Sequence, residues 1–162
     1  MRQDNYTVTL DRDFEADIAA CAEHREGRWH LTKIAPRIMR AYADLFDAGY
    51  AHSCEVWNEQ GKLVGGGYGV ALGSAFITES QFSREPNTSK MGFTALNWQL
   101  ARWGFDFNDG KLMTPTCQGM GFREIQRDEY LRRLTQAERQ AEKPGRWQIE
   151  TDLKTVADWQ PA

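Results

Sequence analysis

Glu79 closes the run Ala75-Phe76-Ile77-Thr78, which reads as a buried strand, and a carboxylate in such a place needs a partner or a function. Asp109 stands between Asn108 and Gly110, two residues before Lys111. Asn-Asp-Gly is turn chemistry, so Asp109 is either the polar end of a strand or a placed acid. One carboxylate near an amine is enough for proton transfer, because an α-amine with a reference pKa of about 7.7 to 8 is already partly neutral near pH 7. Other chemistries find less support. No Gly-x-Ser-x-Gly elbow or Cys-His arrangement stands out, so a covalent intermediate is not indicated. His24, His30 and His52 lack a mutual metal spacing and read as solvent or structural histidines, so no metal is expected. Cys21, Cys54 and Cys117 lie far apart and are odd in number, which suits buried thiols in a reducing cytoplasm better than a disulfide framework or a CxxC site.

The elements that would position these groups follow from periodicity. Tyr6 to Leu10 alternates as a short strand, and Asp11 or Asp13 caps a helix carrying Phe14, Ile18, Cys21 and Ala22, which Gly27 stops. A second helix starts near Pro36 and sets Ile38, Tyr42, Leu45 and Phe46 on one stripe up to Gly49. Ser53 to Asn58 and Lys62 to Ala71 form a hairpin across a polar turn, and Ala75 to Glu79 is a third strand. The glycines at 65, 66, 67, 69 and 73 predict bulges or a close approach of backbone or ligand. Thr88 or Ser89 caps a long helix with Phe93, Leu96, Leu100 and Trp103 on its buried face. After it come a strand at Phe105 to Asp109, a short helix at Pro115 to Gly121, a strand at Phe122 to Gln126, and a helix at Asp128 to Glu142 with Tyr130, Leu131 and Leu134 inward. Residues 1–142 thus form one domain, and 143–162 read as a tail without a period. Meandering strands followed by a βαβ crossover give an α/β (α+β) fold, a mixed sheet flanked by helices, whose element order resembles the GNAT acyltransferases.

A chain of 162 residues suits one domain, and its formal charge of −3 supplies no global positive field for a polyanion, which would have to be gripped locally. Nowhere do about 18 apolar residues run together, and Met1 is followed by polar residues, so a soluble cytoplasmic protein away from membranes is expected.

Three segments carry a family resemblance: His52-Ser53-Cys54-Glu55-Val56-Trp57, then Gly65-Gly66-Gly67-Tyr68-Gly69-Val70, then Glu79-Ser80-Gln81-Phe82-Ser83-Arg84 followed by Asn87-Thr88-Ser89-Lys90. They resemble the central motifs of the leucyl/phenylalanyl-tRNA-protein transferase family, whose members move an amino acid from aminoacyl-tRNA onto a free amino group. Gly119 to Ile125 and Asp128 to Leu131 resemble later motifs of that family. The likeness begins at what resembles the catalytic domain's first strand, so the family's small N-terminal domain is expected to be absent. An insertion of a few residues lies between Trp29 and Ala41.

The resemblance implies roles. In an ungapped register Asp109 falls on the Asp of the family's Asp-x-Gln strand, which makes it the candidate base, and Lys111 falls on the Gln; matching Gly110-Lys111-Leu112 to the family's Gly-Lys-Leu instead needs compensating gaps and loses that Asp. As a cation, Lys111 either stabilises the oxyanion of the tetrahedral intermediate or pairs with Asp109 and quenches it as a base. Glu79 binds an ammonium or the attacking amine, or is a salt-bridged surface acid. Phe76, Phe93, Leu96 and Leu100 surround an apolar pocket or are plain core, with Gly67 where the family often has a larger residue. Trp29 stacks on the terminal adenine of tRNA or lids the core. Asn87, Ser89 and Lys90, at the start of the long helix, hold an acceptor-end phosphate or serve only as a cap. The implied activity is transfer of a large apolar amino acid of the Leu, Phe or Met type from tRNA to a protein N-terminus or a small amine, without ATP, metal or other cofactor. Two alternatives stand: an acyl-CoA-dependent N-acyltransferase, against which Arg84 to Ser89 offers no glycine for pyrophosphate, and a noncatalytic tRNA- or peptide-binding module.

Overall fold

Alternating apolar residues and one long crossover helix build the sheet. The computed structural model describes residues 5–23, 35–150 and 153–159. Trp29, His24, His30 and the helix stop at Gly27 lie outside the described residues. The strands are β1 (Tyr6–Leu10), β2 (Ala51–Asn58), β3 (Leu63–Leu72), β4 (Ala75–Ser83) and β5 (Phe107–Asp109). The helices are α1 (Phe14–Ala22), α2 (Ala35–Asp47), α3 (Thr88–Arg102), α4 (Pro115–Gly119), α5 (Arg127–Ala137) and α6 (Leu153–Ala157). A single sheet runs in the order β1-β2-β3-β4-β5. Its first four strands are antiparallel neighbours, whereas β5 returns parallel to β4 because α3 carries the chain back across the sheet. The mixed sheet expected from the sequence is therefore the one formed.

Local chemistry explains the joints. Asp13 caps α1, its side chain accepting from Ala16 N at 3.1 Å. Asn58 closes the β2–β3 turn, its Oδ1 accepting from Gln60 N at 3.2 Å and Lys62 N at 3.0 Å. At α3 the expected cap is displaced by one residue: Asn87 takes the N-cap place in left-handed conformation, and Thr88 turns its hydroxyl to the carbonyls of Val64 and Glu85, at 2.8 and 2.9 Å.

The core has two faces. On one, Phe14 and Ile18 of α1 and the half-buried Met39, Tyr42 and Phe46 of α2 cover Ala51, Tyr68 and Phe82. On the other, Phe93, Leu96 and Leu100 of α3 pack on Cys54, Ala71 and Phe76. Trp147 completes this second face at 2% exposure, its ring stacked on His52 with centroids 3.5 Å apart and contacting Trp103 and Phe105. Val156 of α6 joins Val8, Val56 and Trp98. The segment that reads as an aperiodic tail thus packs into the same core. Phe122 to Gln126 does not form the expected strand. That run is too exposed to gain from pairing, with Ile125 at 45% exposure, and β5 beside it is only three residues long. Leu131 likewise points outward rather than inward.

Candidate active site

A register break places Glu79. Along β3 and β4 the pairs run Gly67 with Gln81, Tyr68 with Ser80, then Gly69 with Thr78, so Glu79 is an extra residue bulged out of the ladder. The bulge reverses the phase of β4: Phe76 before it packs in the α3 face of the core, whereas Phe82 after it packs in the α1/α2 face. Glu79 leaves the sheet toward α2, where the Tyr42 hydroxyl donates to its carboxylate. Burial first, and this hydrogen bond second, push the Tyr42 phenol well above its ordinary pKa.

Asp109 is the last residue of β5, opposite Ile77 in the parallel register, two residues along β4 from the bulge. Its Oδ1 accepts from Lys111 N at 2.7 Å, which locks the following turn, and Lys111 itself takes a left-handed φ of 62°. The turn returns the Lys111 ammonium to Glu79 as an ion pair. Tyr130 of α5 donates its hydroxyl to Asp109; burial and that bond raise its pKa. Beneath, Thr78 donates to Asn108 Oδ1 at 2.8 Å and Asn108 Nδ2 donates to Asn97 Oδ1 at 2.7 Å, tying β5 to both β4 and α3. Glu79, Asp109 and Lys111 thus share one edge of the sheet, each held by a partner that fixes its direction. A cleft of about 490 Å³ opens beside Asp109, walled by residues between Lys111 and Tyr130.

The apolar candidates stand elsewhere. Phe76, Phe93, Leu96 and Leu100 are buried in the filled cluster with Trp147, and none lines the cleft. Gly67 faces that cluster too: a Cβ there would stand 2.3 Å from Ser80 O and 2.7 Å from the Phe93 ring. Ser89, at the start of α3, is engaged internally, its amide donating to Ser83 Oγ at 3.0 Å and its hydroxyl accepting from the same group at 2.9 Å. Asn87 is exposed, and the Lys90 ammonium reaches toward Gly119 of α4.

The polar residues of the His52 to Trp57 motif serve the β1–α1 turn. Asp11, in left-handed conformation, accepts from Ser53 N at 2.9 Å and Trp147 N at 2.7 Å and pairs with His52 Nδ1 at 2.8 Å. Glu55 accepts from Ser53 at 2.5 Å, Thr9 at 2.6 Å and the amide of Asp13 at 3.3 Å, and burial holds its pKa above the ordinary value despite these bonds. Among the described residues no group of His, Cys, Asp and Glu side chains is arranged to hold a metal, and no helix is long and apolar enough to cross a membrane. Tyr42 and Tyr130 went unread as site residues, since each lies on a helical stripe that the sequence presents as core.

A meander of four strands, a crossover helix and a short parallel fifth strand with acids at its end define a GNAT-type α+β domain. The fold resembles that of a solved structure assigned to the acetyl transferases from Pyrococcus furiosus, with a TM-score of 0.53 over 75% of this chain and 95% of that one, at 11% identity. The model of the leucyl/phenylalanyl-tRNA protein transferase family matches residues 1–135, and the chain belongs to that family. It is 42% identical over 160 residues to the leucyl/phenylalanyl-tRNA-protein transferase of Alkalilimnicola ehrlichii, covering 97% of this chain and 60% of that protein. With the protein of the same name from Pseudomonas fluorescens strain Pf-5 it shares 47% identity over 133 residues, 80% of this chain and 57% of that one. The Azotobacter vinelandii protein is 40% identical over 162 residues, 98% of this chain and 64% of that one. The chain therefore spans about three fifths of the length of these relatives.

Proposed function

We propose that this chain carries out aminoacyl transfer, taking a large apolar amino acid from the 3′ end of a tRNA and joining it to a free amino group of a protein N-terminus or small acceptor. The observation that supports the reading is that the β4 bulge at Glu79 lies two residues from Ile77, the register partner of Asp109, so that two acids stand close together where β4 and β5 part. The donor ester is already activated, so the protein need only position the two reactants and move one proton. The amine attacks the ester carbonyl; its proton passes to Asp109, the C–N bond forms, the C–O bond breaks, and the ribose oxygen leaves with the proton. Glu79 binds whichever ammonium is not reacting, and displacement of Lys111 frees it to do so. Once freed, the Lys111 ammonium is available to the developing oxyanion.

The donor side chain is proposed to meet Phe76, Phe93, Leu96 and Leu100. These four are buried in a filled cluster, so a large side chain can enter only if that cluster rearranges. Trp29 is proposed to stack on the terminal adenine and Asn87, Ser89 and Lys90 to approach a phosphate, with Lys90 supplying the charge, because the Ser89 amide is already bonded.

One observation favours a noncatalytic binding module instead: the Lys111 ammonium neutralises Glu79 in place. Incubating the protein with labelled Leu-, Phe- or Met-tRNA and acceptor peptides separates the readings. Amide product supports transfer, tRNA binding without product supports the binding module, and product only with acetyl-CoA supports an acyl-CoA enzyme.

A further inference from the structure

The run Phe122 to Gln126 has the sequence of a strand and stays outside the sheet. Among the described residues, no main-chain group bonds to the amides or carbonyls of Arg123, Glu124 and Ile125. The run is tied down at its ends, where the Phe122 amide donates to Cys117 O at 3.1 Å and Gln126 O accepts from Tyr130 N at 2.9 Å. Gln126 is extended, with φ −66° and ψ 149°. This bare main chain walls the cleft beside Asp109, whose volume of about 490 Å³ lies in the range of built ligand sites, roughly 300 to 1,000 Å³. Leu112, Met113 and Ile125, three of the six large hydrophobic side chains exposed among the described residues, line the same cleft. Pairing within this chain would leave them in water. An extended polypeptide in the cleft supplies the missing donors and acceptors and covers the apolar wall as well.

We infer that the cleft binds the acceptor polypeptide by strand addition, the residues behind its N-terminus pairing main chain to main chain with Arg123 to Ile125. The assignment rests on the aminoacyl transfer proposed above, in which the amine itself meets Asp109, another wall of the cleft. Three residues of strand span about 10 Å at roughly 3.3 Å each, so the contact covers about three residues of the acceptor. Arg123 to Gln126 are exposed throughout, and a longer acceptor continues into solvent. Main-chain pairing reads no side chain, so recognition behind the first residue tolerates many sequences. It makes no use of Glu79 and holds whether Lys111 or a substrate cation is paired there.

The test uses the full chain, labelled Phe-tRNA and the peptide Lys-Ala-Ala-Ala-Ala-Ala-Ala amide, whose first residue carries a second ammonium for Glu79. In a series of variants an ester replaces one peptide amide at a time, which removes a single N–H donor without adding bulk. Binding is read by fluorescence anisotropy, and the acceptor KM from initial rates. Esters at one or two positions among the second to fifth residues should weaken binding and raise KM about fivefold each, the worth of one hydrogen bond, and an ester at the last residue should change neither. Ser in place of the same alanines should change binding by less than about twofold. Glu124→Pro and Ile125→Pro each remove one main-chain donor at an exposed position, and should raise the acceptor KM with the KM for Phe-tRNA unchanged. Uniform affinities across the ester series would overturn the assignment, whatever the Pro variants do. Ester-sensitive binding without amide product from any peptide would support strand addition and overturn the transferase reading. Product formed from peptides that all bind alike would overturn strand addition and leave transfer standing.

Discussion

The ammonium of Lys111 rests on Oε2 of Glu79, so the turn after β5 closes onto the bulge of β4. Glu79 is largely covered and Lys111 nearly half exposed, so the pair contributes at most about 1 kcal/mol to stability. On the proposed function, that fixed cation occupies the place where a substrate ammonium would pair with Glu79. Lys111→Met should leave the melting temperature almost unchanged and lower the KM of the ammonium-bearing substrate by up to about fivefold. If Lys111 also serves the oxyanion, kcat falls in the same variant, and steady-state kinetics resolves the two effects.

Removing charge from either acid isolates its role without changing its shape. Glu79→Gln and Asp109→Asn should each reduce transfer by about 100-fold or more, the scale of a lost proton acceptor or ammonium anchor. Thermal unfolding should move little, since both residues are only partly buried. Wild-type rates in both variants would remove these acids from the mechanism.

The strand end at Asp109 was legible in its turn-forming neighbours Asn108 and Gly110, although Glu79 lies inside β4 rather than at its end. The bulge was not, since it is a property of how β4 pairs with β3 and leaves no mark in the periodicity of Ala75 to Ser83. Tyr42 and Tyr130 were hidden for a related reason: a tyrosine can bury its ring in a helical stripe while its hydroxyl works at the rim, and only contacts reveal the second part. Trp147 lay beyond any periodic segment, yet one indole stacked on His52 ties residues 143–150 to the sheet. Phe122 to Gln126 misled in the opposite sense, offering apolar residues to a strand that found no edge to join.

Tyr42 and Tyr130 should act through the acids they touch. Tyr130→Phe removes one hydrogen bond to Asp109, worth about 1 kcal/mol, and should lower kcat about fivefold with the KM for tRNA unchanged. Tyr42→Phe should change Glu79 in the same way and alter the KM of the ammonium-bearing substrate more than kcat. A purely structural tyrosine would shift the melting temperature and neither kinetic constant.

If Trp147 belongs to the core, Trp147→Ala should destabilise the protein by about 3 to 5 kcal/mol, the usual cost of emptying a large aromatic site. It also exposes the buried His52–Asp11 pair, both partners of which are 1% exposed. A tail merely lying on the surface would tolerate the change, and a denaturant titration distinguishes the outcomes.

Asp17 makes the sharpest claim on pH. It is fully buried on α1 with Cys21 Sγ 4.0 Å away, and burial, then the charge of Glu55, raises its pKa well above the ordinary 3.8. Below that ordinary value both folded and unfolded chains hold the proton. Above it the unfolded chain releases the proton and the folded chain keeps it, so the folded state binds more protons and stability falls as pH rises, by up to about 1.4 kcal/mol per pH unit. Glu55, raised by burial, acts with the same sign. Glu85 and Glu129 have lowered pKa values and act with the opposite sign, but both have finished titrating in either state by about pH 6. Asp17→Asn removes the proton equilibrium while keeping the shape, and should flatten the fall in stability over the window that opens above the unfolded carboxyl value of about pH 4. Urea titrations across that window check it, and a slope as steep in the variant as in the wild type would show that Asp17 is ionised in the folded protein.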